Sequence, residues 1–115
     1  MTDQMMYYYV NGRQELSTPV VTGNTSLGRG TPQKVCYIYF KQRNRVLRGE
    51  DYATPVSYWM AVYGNIGIHD ATWRRKFGGS IYKTGGSHGC INTPFDEVSK
   101  LYDMAEVGTP VIIFY

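Results

Sequence analysis

The chain reads as a mostly-β domain with one main helix and a short helical turn. Three observations carry that reading. Eleven of the 115 residues are tyrosine, and aromatic and β-branched side chains suit pleated, half-buried surfaces. Thirteen glycines break the chain into short apolar runs, the punctuation of strands and turns. Only the stretch after Thr93-Pro94 repeats its apolar residues at helical spacing. At 115 residues the chain is one domain, long enough to close a core without disulfides or a metal.

Met5–Val10 and Gln14–Thr22 read as strands joined at Asn11-Gly12, a dipeptide that supplies the two positive φ angles of a type I′ turn. Residues 23–33 form a polar, glycine-rich loop, and Lys34–Lys41 a third strand. A charged connection runs to about Thr54. Pro55 precedes a strand over Val56–Tyr63, and Gly64-Asn65 turns the chain into Ile66–His69. A histidine at a strand end is presented from a rigid support. Ala71–Phe77 is expected to hold the short helical turn, and Gly78–Ser87, with its four glycines, a loop.

Thr93-Pro94-Phe95-Asp96-Glu97 is a helix start. Threonine caps, proline at the first position lacks only an orphan N–H, and acidic residues suit the positive end. Phe95, Val98, Leu101, Tyr102 and Ala105 are expected to face the core, and Gly108 and Pro110 to stop the helix before a closing strand, Val111–Tyr115.

The net charge of +3 is ordinary for a small domain and does not select a partner. No basic tract suggests nucleic acid, and Arg43-Asn44-Arg45-Val46-Leu47-Arg48 reads as a solvated loop. No segment approaches the eighteen or so apolar residues of a membrane-spanning helix, and no signal-peptide pattern opens the chain. Cys36, Ile38 and Phe40 share one face of an alternating strand, so Cys36 is expected to be a buried, unreactive thiol. Tyr58, Trp59 and Met60 are expected in the core.

The chemistry concentrates between residues 69 and 90. Both histidines, His69 and His88, and one of the two cysteines, Cys90, fall there. A thiol becomes a good nucleophile once a base takes its proton, and a third group commonly fixes the tautomer of that base. Gly89 lets the backbone approach a substrate, and the helix start near Pro94 would favour a thiolate at Cys90. His88 is the nearer histidine in sequence, but residues two apart often diverge in extended backbone, so spacing does not decide between the two. Backbone N–H groups at His88, Gly89 and Cys90 are candidate oxyanion donors. His69, Asp70, His88 and Cys90 are also metal-ligand types, yet they lack familiar zinc spacings, and neither metal nor cofactor is expected.

His69-Asp70, sixteen further residues, then Ser87-His88-Gly89-Cys90-Ile91-Asn92 resembles the signature of the L,D-transpeptidases, the YkuD-type cysteine enzymes of bacterial cell walls. The resemblance extends through Tyr58-Trp59-Met60, Gly67-Ile68, Trp73, Phe77-Gly78-Gly79 and Gly108-Thr109-Pro110-Val111, and upstream to Met6-Tyr7-Tyr8-Tyr9 and Ser17–Gly23. It is weakest over 34–50, and Lys34 stands where the family's Thr-Pro-x-Gly pattern has a small residue.

The resemblance implies a β-sandwich-like fold, Cys90 as nucleophile and His69 as base, with the backbone carbonyl of Asp70 setting the tautomer. His88 and Gly89 then shape the loop and its oxyanion donors. Trp73, Ser87 and Asn92 are the candidate substrate-side residues, Trp73 as a wall of the acyl-donor pocket and the other two holding the loop. The implied reaction joins peptidoglycan stem peptides: Cys90 attacks the third residue of a tetrapeptide stem, releases D-alanine and passes the acyl group to an amine. Carbapenems are the implied covalent inhibitors. An L,D-carboxypeptidase using water, or a silent wall-binding module, are the alternatives. Because the family is exported, residues 1–115 are expected to be a catalytic domain of a longer protein acting at the cell wall, and a monomer.

Overall fold

The computed structural model describes residues 4–48, 53–64, 66–87 and 89–114. Met5–Val10 (β1) and Arg13–Pro19 (β2) form an antiparallel hairpin. Asn11 and Gly12 turn it with φ of 52° and 81°, as the dipeptide predicts. Beyond β2 the expected strand leaves the hairpin. It becomes a strap, bridging Val21 to Asn92 and Gly23 to Ser87.

The stretch expected as a single strand over Lys34–Lys41 is two. Lys34–Tyr37 (β3) pairs with Pro110–Ile113 (β8), whereas Phe40–Arg48 (β4) pairs with Ala53–Tyr63 (β5). The chain changes sheets at Ile38-Tyr39, so Cys36 and Ile38 are buried while Phe40 is exposed. The expected loop over Arg43–Arg48 is therefore a strand. Two of its arginines lie over aromatic rings of β5: Arg43 is 4.2 Å from the centre of the Tyr58 ring and Arg45 5.1 Å from that of Trp59. Guanidinium stacking holds a charged side chain flat against a sheet, which a count of charges does not reveal. β5 also runs through Pro55, where only β4 lies beside it, so the missing N–H is tolerated.

Ile66–Asp70 (β6) pairs antiparallel with β5, and Ile91–Thr93 (β7) pairs parallel with β6. The larger sheet thus runs β4-β5-β6-β7. Gly64 turns into β6 with φ of 54°; its expected turn partner Asn65 lies outside the described residues, as does Tyr115.

The short helical turn falls at Ile81–Gly85 (α1), inside the segment expected as pure loop, and not at Ala71–Phe77. Buried Tyr82 anchors it, whereas residues 71–77 carry one turn bond, Arg74 N–H to the Ala71 carbonyl at 3.0 Å. Phe95–Met104 (α2) is the main helix. Thr93 ends β7 and does not cap it. Its hydroxyl donates to the Ile91 carbonyl at 3.4 Å, and Pro94 takes the cap position, its carbonyl accepting from Val98 N–H at 3.0 Å. Val98, Leu101 and Ala105 are buried, but Phe95 is 41% exposed and meets Tyr58 edge-on at 5.7 Å.

One core cluster joins the buried face of α2 to Leu16, Cys36, Ile38, Tyr58, Met60, Ile68, Ile91 and Ile113. The fold is mostly strand, with one main helix packed on the sheets. Neither cysteine forms a disulfide, and Cys36 is the buried thiol expected, its Sγ 3.6 Å from the Val111 carbonyl. Burial pushes its pKa up, partly offset by Lys34. Among the described residues no helix is long and apolar enough to cross a membrane.

Candidate active site

The parallel pairing of β6 with β7 builds the site. Ile68 stands beside Ile91, His69 beside Asn92 and Asp70 beside Thr93. Ile68 and Ile91 both enter the core, so His69 and Asn92 share the opposite face, because side chains alternate along a strand. Cys90 precedes β7 by one residue and returns to the face of His69, where the Gly67 backbone N–H meets its thiol. Trp59, opposite His69 on β5, occupies the same face.

Trp59 is buried, as expected, but in a second core cluster on the His69 face of the sheet and not in the main one. Its ring stacks with the His69 imidazole, centroids 5.9 Å apart at 25°, and covers Gly67. A Cβ on Gly67 would stand 2.6 Å from Trp59 Cη2 and 2.8 Å from the Met60 carbonyl oxygen. Cys90 and Leu47 pack against the cluster of Trp59, Val56 and Ala61. The alternation Tyr58, Trp59, Met60 carried this signal, since the middle residue must face away from its neighbours.

His69 is 3% exposed. Its Nδ1 lies 2.6 Å from the Asp70 carbonyl oxygen; a carbonyl only accepts, so Nδ1 carries the proton and Nε2 is the acceptor. Trp73 covers part of the ring at 6.0 Å and is 51% exposed, a wall between imidazole and solvent. Asn92 bridges His69 to Arg74. With its amide in the orientation that satisfies both ends, Nδ2 donates to His69 Nε2 at 3.2 Å and Oδ1 accepts from Arg74 Nε at 2.8 Å. Arg74 Nη1 donates to the Gly85 carbonyl at the end of α1, 2.9 Å away. Burial lowers the His69 pKa; the Asp70 carbonyl and carboxylate oppose that, and Arg74 reinforces it. The imidazole is neutral at neutral pH.

The Asp70 carboxylate does not touch the ring. It accepts from the backbone N–H groups of Ser57 (2.9 Å) and Tyr58 (2.8 Å), fastening β6 to β5, so only the Asp70 carbonyl hydrogen-bonds to His69. Burial raises the Cys90 pKa, while the Gly67 N–H and Arg45 pull it down. β7 and Pro94 lie between Cys90 and the first residue of α2.

The loop before Cys90 is tied from several sides. Ser87 Oγ donates to the Cys90 carbonyl and accepts from Gly89 N–H at 3.2 Å. The Gly89 N–H, an expected oxyanion donor, is thereby engaged inside the loop. Gly89 has φ of 125°, a conformation that favours glycine. Its carbonyl accepts from Thr31 Oγ1 at 2.6 Å, and Thr31 Oγ1 in turn accepts from Gly23 N–H at 2.9 Å. Arg74 and Arg45 carried no sequence signal, since each acts through chain segments remote in sequence, and Thr31 carried only its place in the Thr-Pro-x-Gly pattern. His88 lies outside the described residues. Among the described residues no three His, Cys, Asp or Glu side chains converge as metal ligands would. A surface groove of about 500 Å³ between β2 and α2, with Glu15, Glu97 and Asp103 on its walls, contains none of these site residues.

The family model of the L,D-transpeptidase catalytic domain, YkuD, matches residues 1–113. The chain belongs to this family. It is similar to an L,D-transpeptidase mutant from Enterococcus faecium at 40% identity and a TM-score of 0.92, covering 97% of this chain and 46% of that one. The catalytic domain of the E. faecium enzyme acylated by ertapenem is 42% identical, with a TM-score of 0.85 and coverage of 97% and 90%. An L,D-transpeptidase from Mycobacterium smegmatis is 25% identical, with a TM-score of 0.84 and coverage of 98% and 55%. The chain therefore spans about half the length of the longer relatives. No curated protein matches it.

Proposed function

We propose that this domain is a cysteine-dependent L,D-transpeptidase acting on peptidoglycan stem peptides outside the cytoplasm, with Cys90 as nucleophile and His69 as base. The supporting observation is the fixed imidazole: Nδ1–H is held by the Asp70 carbonyl, and Nε2 stands on the sheet face shared with Cys90. A neutral imidazole on the same sheet face as a thiol whose pKa burial has raised has Nε2 as its proton acceptor, which exchanges the Asn92 N–H for the thiol proton in the reaction.

In the proposed first step Nε2 takes the thiol proton and the sulfur attacks the carbonyl carbon of the third stem residue. The oxyanion is met by backbone N–H groups of the loop around Cys90. The carbon–nitrogen bond to the terminal D-alanine then breaks, and the imidazolium returns its proton to the leaving amine. The thioester passes its acyl group to the amine of a second stem while His69 takes the amine's proton, and Cys90 is restored. Trp73 walls the donor side, and Ser87 and Asn92 hold the loop and the imidazole. The E. faecium domain acylated by ertapenem supports carbapenem acylation of Cys90 here.

The test is mass spectrometry of products made from purified tetrapeptide muropeptides. Cross-linked dimer with release of D-alanine is expected from the native chain. Cys90→Ala is expected to give neither dimer nor ertapenem adduct while keeping its circular dichroism. Tripeptide alone would indicate a carboxypeptidase, and an adduct on Cys36 would overturn the assignment of the nucleophile.

A further inference from the structure

Arg45 takes no part in the steps above, yet it stands at the site. It sits on β4 opposite Val56, beyond Asn44, whose φ of 55° interrupts the alternation of the strand. Arg43 and Arg45 consequently lie on the rings of Tyr58 and Trp59, adjacent residues that face opposite sides of β5. Arg43 goes with the core side, where its Nε donates to the Ser57 carbonyl at 3.0 Å. Arg45 goes with the side of His69 and Cys90.

A single indole therefore carries the Arg45 cation at 5.1 Å and the His69 imidazole at 5.9 Å, and packs in one cluster with Cys90. The cation is only partly satisfied. Its Nη1 donates to Gln42 Oε1 at 3.0 Å, but Nε is buried and has no acceptor among the described residues. No carboxylate among them neutralises it either: Asp70 is bonded to backbone N–H groups, and the ion pair they form is Lys100 with Glu97. A buried guanidinium N–H without an acceptor is an unfavourable feature unless something arriving completes it. The influence of Arg45 on the Cys90 thiol agrees with its place beside the nucleophile.

We propose that Arg45 determines donor specificity by receiving a carboxylate of the acyl donor, one residue beyond the carbonyl that Cys90 attacks. The identity of that carboxylate rests on the transpeptidase reading: it is the free terminus of the departing D-amino acid. Three bonds separate the attacked carbon from that carboxylate carbon, a span under about 4 Å from standard bond lengths, so its receiver must adjoin the thiol. A planar guanidinium placed over an indole offers parallel N–H groups at the spacing of a carboxylate, which a lysine cannot copy. The recognised class is a peptide ending in a free α-carboxylate, as against its amide.

The test compares two alkylating reagents of similar size, anionic iodoacetate and neutral iodoacetamide, at Cys90, with the modified site located by peptide mapping. The ratio of their rates cancels the ionisation of the thiol and does not depend on any transpeptidase activity. Replacing Arg45→Gln is expected to lower the iodoacetate-to-iodoacetamide ratio about tenfold, the loss of one charge-assisted bond, with Arg45→Lys falling between. On peptides, the native chain is expected to turn over a free-carboxylate tetrapeptide about tenfold faster than its C-terminal amide, a preference that Arg45→Gln removes. An unchanged alkylation ratio in folded Arg45→Gln overturns the proposal. Should that variant not fold, equal turnover of acid and amide donors by the native chain overturns it. An Arg45-dependent ratio in a chain that turns over neither donor would sustain the carboxylate site and count against the transpeptidase reading.

Discussion

With its amide in the orientation that satisfies both ends, Asn92 links His69 to Arg74. Its amide nitrogen donates to His69 Nε2 and its oxygen is held by Arg74, so a residue on the loop after β6 sets which end of Asn92 meets the imidazole. A donor on Nε2 and a nearby cation both favour the neutral ring. Arg74→Gln is therefore expected to raise the pKa of His69, and Asn92→Ala to move it in the same direction, read from the NMR titration of the His69 ring. A titration that stays in place in both variants would show that the bridge has no hold on the imidazole. His69→Ala is expected to slow ertapenem acylation by roughly 10²–10⁴-fold, the usual contribution of a positioned base. His88→Ala is expected to retain more activity. Equal losses in the two folded variants would exchange or share the role.

At the scale of elements, the site depends on how closely β6 approaches the Trp59 ring. Gly67 is required there by space and not by φ: an added Cβ would meet Trp59 Cη2 at 2.6 Å and backbone at 2.8 Å. Gly67→Ala is expected to destabilise the domain by about 1–3 kcal/mol, the usual cost of overpacking, measured by urea denaturation. It is also expected to slow alkylation of Cys90, because the indole it displaces stacks with His69 and the Gly67 N–H faces the thiol. Unchanged stability together with an unchanged alkylation rate would mean that the sheet absorbs the methyl without moving the site.

For the whole molecule, His69 couples the site to stability. Burial depresses its folded pKa, so the folded state binds the proton less readily than the unfolded chain. That contribution is fully present above the unfolded histidine value of about 6.5 and is lost as pH falls through the folded value. The native chain is expected to lose melting temperature on acidification over that interval, and His69→Asn to lose less of it. Parallel acid profiles for the two proteins would remove His69 from the account. The buried pair His69 and Asp70 thus ties the integrity of β6, the strand that supports the imidazole, to the same protonation.

Local chemistry determined much of this protein before any contact was known. Asn11-Gly12 fixed its hairpin because two positive φ angles suit few other residues; the spacing of Val98, Leu101 and Ala105 marked the face of the main helix. Cys90, His69 and the Asp70 carbonyl were legible because they lie within one short segment that resembles a family signature. Tertiary structure decided the rest. Arg43–Arg48 became a strand because aromatic rings on the neighbouring strand accept its guanidinium groups. Thr93 lost its capping role to pairing with Asp70. Trp59, Thr31, Arg74 and Arg45 joined the site across sequence gaps that no local pattern spans. Hydrogen bonds and ring stacking act through space, so the partners of these residues exist only once the sheets have assembled.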